Sequence, residues 1–501
     1  MVCVDGISNP AGRDVIIRIY CNTNSALTQM RKAAFHNLGC KVNSYETDVM
    51  IQAFKEAGYE IVPFESAADV YVVNTCTVTA IADRKSRQML HRAKKLNPGA
   101  LVVAVGCYVE TDRAKLEADG AVDLLVGNNR KSRIVELVEE ALTRGTREIM
   151  DREVAELSGH PEYERMTLIS PGQTRAYVKI QDGCNQFCTY CIIPYARGRI
   201  RSRESADILE EVRGLAERGI KEIVLTGIHI SSYGMDLDPE RRSRLIDLIE
   251  ALDVVPGIER IRLGSLEPRI LTEDFVARLA ALPRVCPHFH LSLQSGSSAT
   301  LARMRRQYTA EDFREGVRRL RAAYDRPALT ADVIVGFPGE TEEEFAETYA
   351  FLKEIDFYEI HVFRYSKRRG TPAAVMPDQV PDSVKAERSD LLEALIRERA
   401  GAYRRSFAGE RAEVLLEEET GLKELYRRTQ SELAAGKAGP EEQETGFAGI
   451  PEDGRFWIGR TARYVQVLAA CPDAEAGMTV RGILREGPAG LPCLVLEPEK
   501  E

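Results

Sequence analysis

The chain has 501 residues, 44% of them hydrophobic and 29% charged, with a formal net charge of −9 at pH 7. The length predicts two or three domains, and the composition is that of an ordinary globular protein. No apolar run of about 18 residues indicates a membrane span, and residues 1–29 lack a secretory signal, so we expect a cytoplasmic protein without a membrane partner. The acidic balance excludes a protein that coats nucleic acid with its whole surface, but it permits a local basic site.

The first part of the chain reads as a parallel sheet. Residues 1–29 show no pattern and form an N-terminal extension of uncertain role. From residue 30 to 145, strand-like apolar runs alternate with amphipathic helices, which is typical of βα units. Strands are predicted at residues 33–38, 70–74, 101–105 and 123–126, and helices between them, for example at 45–57 and 80–95. A polar segment, 145–173, then predicts a linker.

A second α/β block spans residues 170–400. Its predicted strands are 177–181, 222–226, 261–264, 288–293, 330–335 and 359–363. Six βα units predict an open or partial barrel whose active face lies at the carboxyl ends of the strands. A helix at 383–405 leads into a small β domain, 406–499, with strands at 412–416, 462–468, 478–484 and 493–496. A polar insertion interrupts this domain at about 418–455.

The strongest chemical signal is a group of three cysteines directly after the first strand of the second block. Cys184, Cys188 and Cys191 are spaced by four and three residues, so three thiolates can hold one face of an iron–sulfur cluster. A cubane cluster has one more iron than this set has ligands, so one iron stays open to a small molecule. A structural zinc site is the alternative, but zinc takes four ligands and the local sequence offers no fourth.

Three further cysteines are dispersed along the first block. Cys40, Cys76 and Cys107 each follow a predicted strand, where the strand runs into its loop. The carboxyl ends of parallel strands meet at one edge of an open α/β sheet, so these loops converge on one crevice. A single cysteine in such a place is more often a small buried hydrophobe. Three together predict a second three-cysteine cluster that also has an open iron.

The spacing of the first cysteine set, together with Tyr190, resembles the radical S-adenosylmethionine superfamily, in which the open iron binds that cofactor and its reductive cleavage gives a carbon radical. Other segments resemble the methylthiotransferases of the superfamily: 38–46 (LGCKVNSYE), 74–79 (NTCTVT), 181–184 (QDGC), 194–203 (PYARGRIRSR) and 371–374 (TPAA). The resemblance implies an α/β protein with an N-terminal parallel-sheet cluster domain, a central partial (β/α)6 radical-SAM barrel and a small C-terminal TRAM-like β-barrel.

The branch that this chain resembles most acts on threonylcarbamoyladenosine in tRNA. Lys41, Val42 and Asn43 stand where the isopentenyladenosine branch typically has Gln-Met-Asn and the ribosomal-protein branch has Pro-Lys-Asn. The resemblance implies an enzyme that adds a methylthio group to ring carbon 2 of N6-threonylcarbamoyladenosine at tRNA position 37, and we expect it to be a monomer. It also implies two [4Fe-4S] clusters, S-adenosyl-L-methionine, an external electron donor and an unidentified sulfur donor.

Two alternatives to this interpretation stay open. A methylthiotransferase of the same chemistry would act on isopentenyladenosine in tRNA or on a ribosomal-protein side chain. A non-catalytic iron–sulfur protein that binds RNA or relays electrons would need both clusters fully ligated. Cleavage of S-adenosylmethionine by the reduced protein would exclude the second alternative.

Residues at the predicted strand ends complete the expected site. By resemblance, polar residues and glycines there help to bind S-adenosylmethionine: Tyr190, Thr226, Gly227, Glu267, Gln294, Asp332 and Gly336. Taken alone, such glycine loops are more often tight strand-to-helix turns. Basic residues near the cysteine motif and after the last strand predict a positive path for tRNA: Arg197, Arg199, Arg201, Arg203, Lys367 and Arg368. The arginines next to the motif are also suited to orienting the second cluster.

Overall fold

The structure is a computed structural model that describes residues 30–144, 162–238, 244–421, 455–487 and 493–498. The predicted N-terminal extension and most of the predicted insertion lie outside these residues. Within the described residues, no helix has both the length and the apolar character needed to cross a membrane. The predicted fold class, α/β with a small C-terminal β-barrel, is confirmed.

The N-terminal domain is built on a five-stranded parallel sheet in the order β2-β1-β3-β4-β5. Its elements are β1 (Lys32–Asn37), α1 (Lys41–Glu56), β2 (Glu60–Val62), β3 (Val70–Thr75), α2 (Ala80–Leu96), β4 (Leu101–Gly106), α3 (Cys107–Thr111), α4 (Arg113–Glu117), β5 (Leu124–Val126) and α5 (Ile134–Arg144). Helices cover both faces, so β3 is buried along its whole length. The strand order reverses between β1 and β3, which opens a crevice at their carboxyl ends. The three-residue edge strand β2 was not predicted.

The central domain contains six parallel strands in sequence order, with helices on their outer side. Its elements are β6 (Ala176–Asp182), α6 (Ile193–Arg197), β7 (Arg201–Ser202), α7 (Ser205–Glu217), β8 (Glu222–Gly227), α8 (Leu245–Asp253), β9 (Arg260–Leu263), α9 (Glu273–Ala280), β10 (His288–Gln294), α10 (Ser298–Arg303), α11 (Ala310–Ala323), β11 (Ala328–Val335), α12 (Glu342–Ile355), β12 (Glu359–Arg364) and α13 (Asp382–Arg405). The strands form two sheets, β7-β6-β8-β9 and β10-β11-β12. Isolated bridges connect these sheets, for example between Leu266 and Leu291, so the whole is a partial barrel.

The helix α1 of the N-terminal domain lies against the inner face of this partial barrel. In β6, Val178 and Ile180 point outward into the core that the surrounding helices form, together with Ile208 of α7. Side chains alternate along a strand, so Lys179 points inward, and there it pairs with Glu46 of α1. The N-terminal domain therefore fills part of the lumen, which neither block of sequence predicts by itself.

The C-terminal domain is a closed five-stranded barrel in the order β13-β14-β15-β17-β16. Its strands are β13 (Arg411–Thr420), β14 (Phe456–Thr461), β15 (Gln466–Ala470), β16 (Thr479–Arg485) and β17 (Leu494–Pro498). Two predictions were wrong here: β13 continues to Thr420, inside the predicted insertion, and β14 was missed. Gly459 interrupts the apolar run of β14, and it is required there because a Cβ would lie 2.6 Å from the Leu415 carbonyl oxygen.

This C-terminal barrel closes the amino-terminal end of the central barrel. Tyr464 lies in the turn between β14 and β15, in the left-handed region with φ +62°. Its ring stacks on His288, the first residue of β10, with centroids 4.6 Å apart and planes 3° apart. Arg262 lies 4.9 Å from the centroid of the same ring and donates to the Ala462 carbonyl oxygen at 3.0 Å. The lumen is thus closed below, and the carboxyl ends of the strands form its open end.

Candidate active site

The contiguous cysteine set lies in a loop folded back on itself after β6. Gly183 has φ +69°, and a side chain there would collide with the backbone of Arg199. The turn allows Cys184 N–H to donate to the Gly198 carbonyl oxygen at 3.0 Å, while Cys191 N–H donates to the Cys188 carbonyl oxygen at 3.0 Å. The loop therefore holds its three sulfurs around one point at the open end of the barrel.

Donors from the surrounding protein point at these sulfurs. Arg306 Nη1 donates to Cys188 Sγ at 3.1 Å, and Gln186 N–H donates to Cys184 Sγ at 3.4 Å. Burial raises the pKa of Cys184 to about 11 and that of Cys191 to about 12. Burial therefore favours the protonated form of Cys184 and Cys191, and metal binding has to displace these protons.

The dispersed cysteine set lies at the crevice of the N-terminal sheet. Cys40 follows β1, Cys76 follows β3 and Cys107 begins α3 directly after β4. Cys76 and Cys107 are buried, whereas Cys40 is accessible to solvent. Gly39 has φ +110°, and a Cβ on it would lie 2.9 Å from Cys76 Sγ. The sheet therefore brings together three cysteines that are far apart in the sequence.

A buried network of charges joins the two cysteine sets. Arg197 is fully buried, and its Nε donates to Cys107 Sγ at 3.2 Å. Its Nη1 bonds Glu46 at 3.0 Å and Asp182 at 3.1 Å. Glu46 also accepts from Lys179 at 2.6 Å and from Lys131. Burial alone would raise the pKa of Glu46, but Arg197, Lys131 and Lys179 hold that pKa well below its usual range.

The burial of these arginines corrects part of the predicted tRNA path. Arg197 and Arg203 cannot reach a phosphate, because Arg197 is enclosed in the network and Arg203 is paired with Glu211 at 2.7 Å. Arg201 is only 5% exposed and lies 3.6 Å from Asp182. These three guanidinium groups compensate internal carboxylates, so the alternating pattern along this segment does not mark a solvated face.

The remaining predicted basic residues divide between surface and interior. Arg199 is exposed, with its guanidinium carbon 4.4 Å from the centroid of the Phe187 ring. Lys367 is exposed as well. Arg368 is buried and donates to Asp83 and Thr77 of the N-terminal domain, both at 2.6 Å. Among the six predicted residues, only Arg199 and Lys367 therefore remain open to RNA, and Arg368 joins two domains.

The sulfur spacing of both cysteine sets differs from that of the ligands of a single zinc ion. Thiolates on one zinc ion lie about 4 Å apart, because the Zn–S bond is about 2.3 Å long and the geometry is tetrahedral. Within the described residues, which include all six cysteines, neither set has its three sulfurs all within 4.8 Å of one another. This spacing argues against the zinc alternative.

Unpaired buried atoms lie beside the contiguous set. Glu267 Oε1 and Arg306 Nη2 are 3.7 Å apart, and neither has a hydrogen-bond partner among the described residues. His229 Nε2 lies 3.4 Å from Glu267 Oε2. A carboxylate and a guanidinium left unsatisfied next to the cysteines are suited to the amino and carboxylate groups of a small ligand.

The residues predicted to contact S-adenosylmethionine are spread over the open end and the inner face. Tyr190 packs edge-on against Phe337, with ring centroids 6.4 Å apart. Thr226 is buried, and a Cβ on Gly227 would lie 3.0 Å from the Gln181 carbonyl oxygen. Gln294 ends β10 with φ +68°. These four residues border the open end, and their role in cofactor binding stays a prediction.

Gly336 and Asp332 have surroundings that the sequence did not indicate. A side chain at Gly336 would collide with Lys385 of α13, so packing of this helix already requires a glycine there. Asp332 lies on the inner face of β11, with Oδ2 3.4 Å from His290 Nε2. His290, Asp332 and His361 each place one ligand atom within 4.8 Å of the others. This polar group lines the lumen on three neighbouring strands.

Several functional residues were missed at the level of sequence. Glu46 lies in the quoted segment 38–46 but received no role, and Lys179 was not connected to any site. Arg306 was predicted only as part of a basic cluster for tRNA, and its contact with Cys188 was not foreseen. The alternation in β10, HFHLSLQ, with Phe289, Leu291 and Leu293 buried outward, was a signal that His290 faces inward. The ion pairs carry no such signal, because each joins residues far apart in the chain.

Comparisons with known proteins identify relatives of this chain. Residues 178–352 match the radical SAM superfamily, and residues 32–127 match uncharacterized protein family UPF0004. The threonylcarbamoyladenosine tRNA methylthiotransferase MtaB of Bacillus subtilis (strain 168) is 45% identical, over 78% of this chain and 85% of its own length. MtaB of Aquifex aeolicus (strain VF5) is 41% identical, over 79% and 95%. The tRNA-2-methylthio-N(6)-dimethylallyladenosine synthase of Clostridium novyi (strain NT) is 35% identical, over 76% and 84%.

Proposed function

The chain belongs to the methylthiotransferase family of radical S-adenosylmethionine enzymes, and we propose that it adds a methylthio group to ring carbon 2 of N6-threonylcarbamoyladenosine at position 37 of tRNA. Relatives named for threonylcarbamoyladenosine are 45% and 41% identical, whereas the relative named for dimethylallyladenosine is 35% identical. This difference favours the threonylcarbamoyl substrate over its isopentenyl rival.

One observation carries the proposal: two three-cysteine sets meet at the open end of one barrel, joined through Arg197. Arg197 bonds Cys107 of one set and Asp182, which precedes the loop of the other set. An unactivated C–H bond on an aromatic ring calls for radical chemistry, and insertion of sulfur calls for a place that holds it. When bound, the cluster at Cys184, Cys188 and Cys191 would supply the electron for cleavage of S-adenosylmethionine, and the cluster at Cys40, Cys76 and Cys107 would carry sulfur.

The protein's own residues position these groups and adjust their charge. Arg306 and Arg197 each donate to one cysteine sulfur, at 3.1 and 3.2 Å. Such N–H···S bonds stabilise negative charge on a reduced cluster. Glu267 and Arg306 offer their unpaired atoms to the polar end of S-adenosylmethionine. The lumen is closed below by Tyr464, so a reactive radical would be kept from bulk water.

The substrate reaches this site through the open end of the barrel. A cavity of about 940 Å³ beside the cysteine loop is lined by Tyr195, Lys367 and Arg369, together with acidic residues such as Asp112. Tyr195 is 50% exposed and can stack an unpaired base. An adenosine in a loop costs less to unstack than one in a duplex. We assign this cavity, with its basic, acidic and aromatic side chains, to the anticodon loop of tRNA. The same proposal includes a cytoplasmic location, an external electron donor, a separate sulfur donor and a monomeric state.

The decisive test is mass spectrometry of nucleosides from tRNA of a strain that lacks this gene. We expect 2-methylthio-N6-threonylcarbamoyladenosine to disappear, the unthiolated nucleoside to accumulate, and both to return to normal when the gene is restored. A complementing copy with Cys188→Ala serves as the matched control and should not restore the product. Persistence of the methylthio nucleoside would overturn the substrate, and isopentenyladenosine and ribosomal proteins would be analysed next.

A further inference from the structure

Lys41 is a cation at the centre of the site to which neither the fold nor the cluster chemistry gives a task. It is the first residue of α1 and directly follows Cys40. Because α1 lies against the inner face of the barrel, the start of this helix reaches into the lumen. Lys41 is accessible to solvent, and groups of the other two domains, among them Asp332 and Tyr464, act electrostatically on its ammonium.

The ammonium of Lys41 forms no salt bridge or hydrogen bond with any residue that the structure describes. The carboxylate that acts on Lys41 has another partner, because Asp332 Oδ2 lies 3.4 Å from His290 Nε2. Arg175 and Arg262 add further positive charge around Lys41. A cation that faces this open lumen without a partner among the described residues can form a charge-assisted hydrogen bond with an anionic ligand.

The geometry of the adenine ring places such a ligand next to Cys40. Ring carbon 2 and the N6 substituent both belong to the Watson–Crick edge, on either side of N1. A base that presents carbon 2 to sulfur held near Cys40 therefore points its N6 substituent at the residues beside this cysteine. The threonylcarbamoyl group ends in a carboxylate, whereas an isopentenyl group is an uncharged hydrocarbon. A cation adjacent to Cys40 is suited to binding the threonylcarbamoyl carboxylate and unsuited to binding the isopentenyl group.

We propose that Lys41 binds the carboxylate of the threonylcarbamoyl group and thereby selects this substrate over adenosines with uncharged N6 substituents. The inference rests on the proposed function. Two other anions are excluded as the main partner by position. The carboxylate of S-adenosylmethionine belongs with Cys184, Cys188 and Cys191, and an RNA phosphate remains outside the barrel while its base enters.

The test compares an anticodon stem–loop that carries N6-threonylcarbamoyladenosine with the same RNA carrying the methyl ester of that group. The wild-type enzyme is expected to methylthiolate the acid with a kcat/KM about ten- to a hundredfold higher than the ester, the range of one charge-assisted hydrogen bond. Lys41→Met should remove this preference by slowing reaction of the acid alone. Lys41→Arg should keep most of it, and Lys55→Met, at the exposed end of the same helix, is the matched control.

The ratio of acid to ester within one preparation cancels any difference in cluster loading. Iron content, formation of 5′-deoxyadenosine without RNA, and RNA affinity from fluorescence anisotropy are measured on each variant. An unchanged acid preference in Lys41→Met would overturn the inference. A weaker hold on S-adenosylmethionine with the same acid preference would assign Lys41 to that cofactor instead. Failure of the wild-type enzyme to modify the acid would overturn the proposed function, which separates the two failures.

Discussion

The two cysteine sets are built in opposite ways. Cys184, Cys188 and Cys191 come from eight consecutive residues, and backbone hydrogen bonds within and next to that loop shape them. Cys40, Cys76 and Cys107 come from three loops whose closeness depends on the order of β1, β3 and β4. The first set depends on a local turn, and the second depends on a whole sheet and on the domain docked against it. Perturbation of the domain interface should therefore affect the second set first.

The charges around the sets differ as well. Arg197 beside Cys107 is fully buried and has two carboxylate partners, Glu46 and Asp182. Arg306 beside Cys188 has Glu267 at 3.7 Å, and its Nη2 has no hydrogen-bond partner among the described residues. The charge of the arginine beside Cys107 is thus compensated by carboxylates, while the arginine beside Cys188 keeps a donor nitrogen available for a ligand. The dispersed set therefore keeps Cys40 open to solvent while the charges beside Cys107 are compensated within the protein.

The largest expected effect comes from removal of one cysteine from either set. Cys188→Ala and Cys76→Ala should each lose about half of the iron and all methylthiolation, because a cluster held by two thiolates is not retained. With dithionite and S-adenosylmethionine, Cys76→Ala should still form 5′-deoxyadenosine and Cys188→Ala should not. Cys286→Ala, a buried cysteine outside both sets, is the control. Loss of cleavage in Cys76→Ala would remove the division of labour between the sets.

The next effect concerns the interface that the dispersed set depends on. Glu46→Gln leaves Arg197, Lys179 and Lys131 with one buried carboxylate fewer, and loss of a partner from such a network costs about 3–5 kcal/mol. We expect the first unfolding transition to occur at a lower urea concentration than in the wild-type protein. Iron should be lost from the set at Cys107 before it is lost from the set at Cys188.

Glu65→Gln breaks an exposed pair with Arg92 and is the control for that experiment, with an expected cost of less than about 1 kcal/mol. Iron content and the electron paramagnetic resonance signals of the two clusters report which set is lost. Equal loss from both sets would show that the network supports the molecule as a whole and not the dispersed set in particular.

The smallest effect sharpens the electrostatic comparison. Arg197→Lys and Arg306→Lys keep the positive charge but displace the N–H that points at Cys107 or Cys188. Each should lower the reduction potential of its own cluster by tens of millivolts, since one hydrogen bond to sulfur is weakened. Redox titration followed by electron paramagnetic resonance measures both potentials, with Arg199→Lys as an exposed control. A shift in the other cluster alone would contradict the pairing of arginine and cysteine.

Sequence patterns predicted the two cysteine sets more completely than they predicted the strands and the burial of charged side chains. The strands around Cys40, Cys76 and Cys107 were found because apolar runs between helices imply a parallel sheet, and that sheet implies one crevice. The edge strand β2 was missed because three residues are too few to show an alternating pattern. Strand β14 was missed because Gly459 interrupts its apolar run. The substrate role given to Arg197 and Arg203 failed because an alternating basic segment looks the same whether water or carboxylates surround it.

The sequence by itself determined the α/β class, the local loop of Cys184, Cys188 and Cys191, and the strand-end positions of the other three cysteines. All of these follow from sequence patterns within single strands, helices or loops. Only the tertiary structure decided that α1 enters the barrel, that Arg197 is sealed between two carboxylates and that Lys41 has no ion-pair partner among the residues that the structure describes. Whether a charged side chain is buried depends on which segments, far apart in the sequence, pack together. Local hydrophobic periodicity carries no information about such contacts.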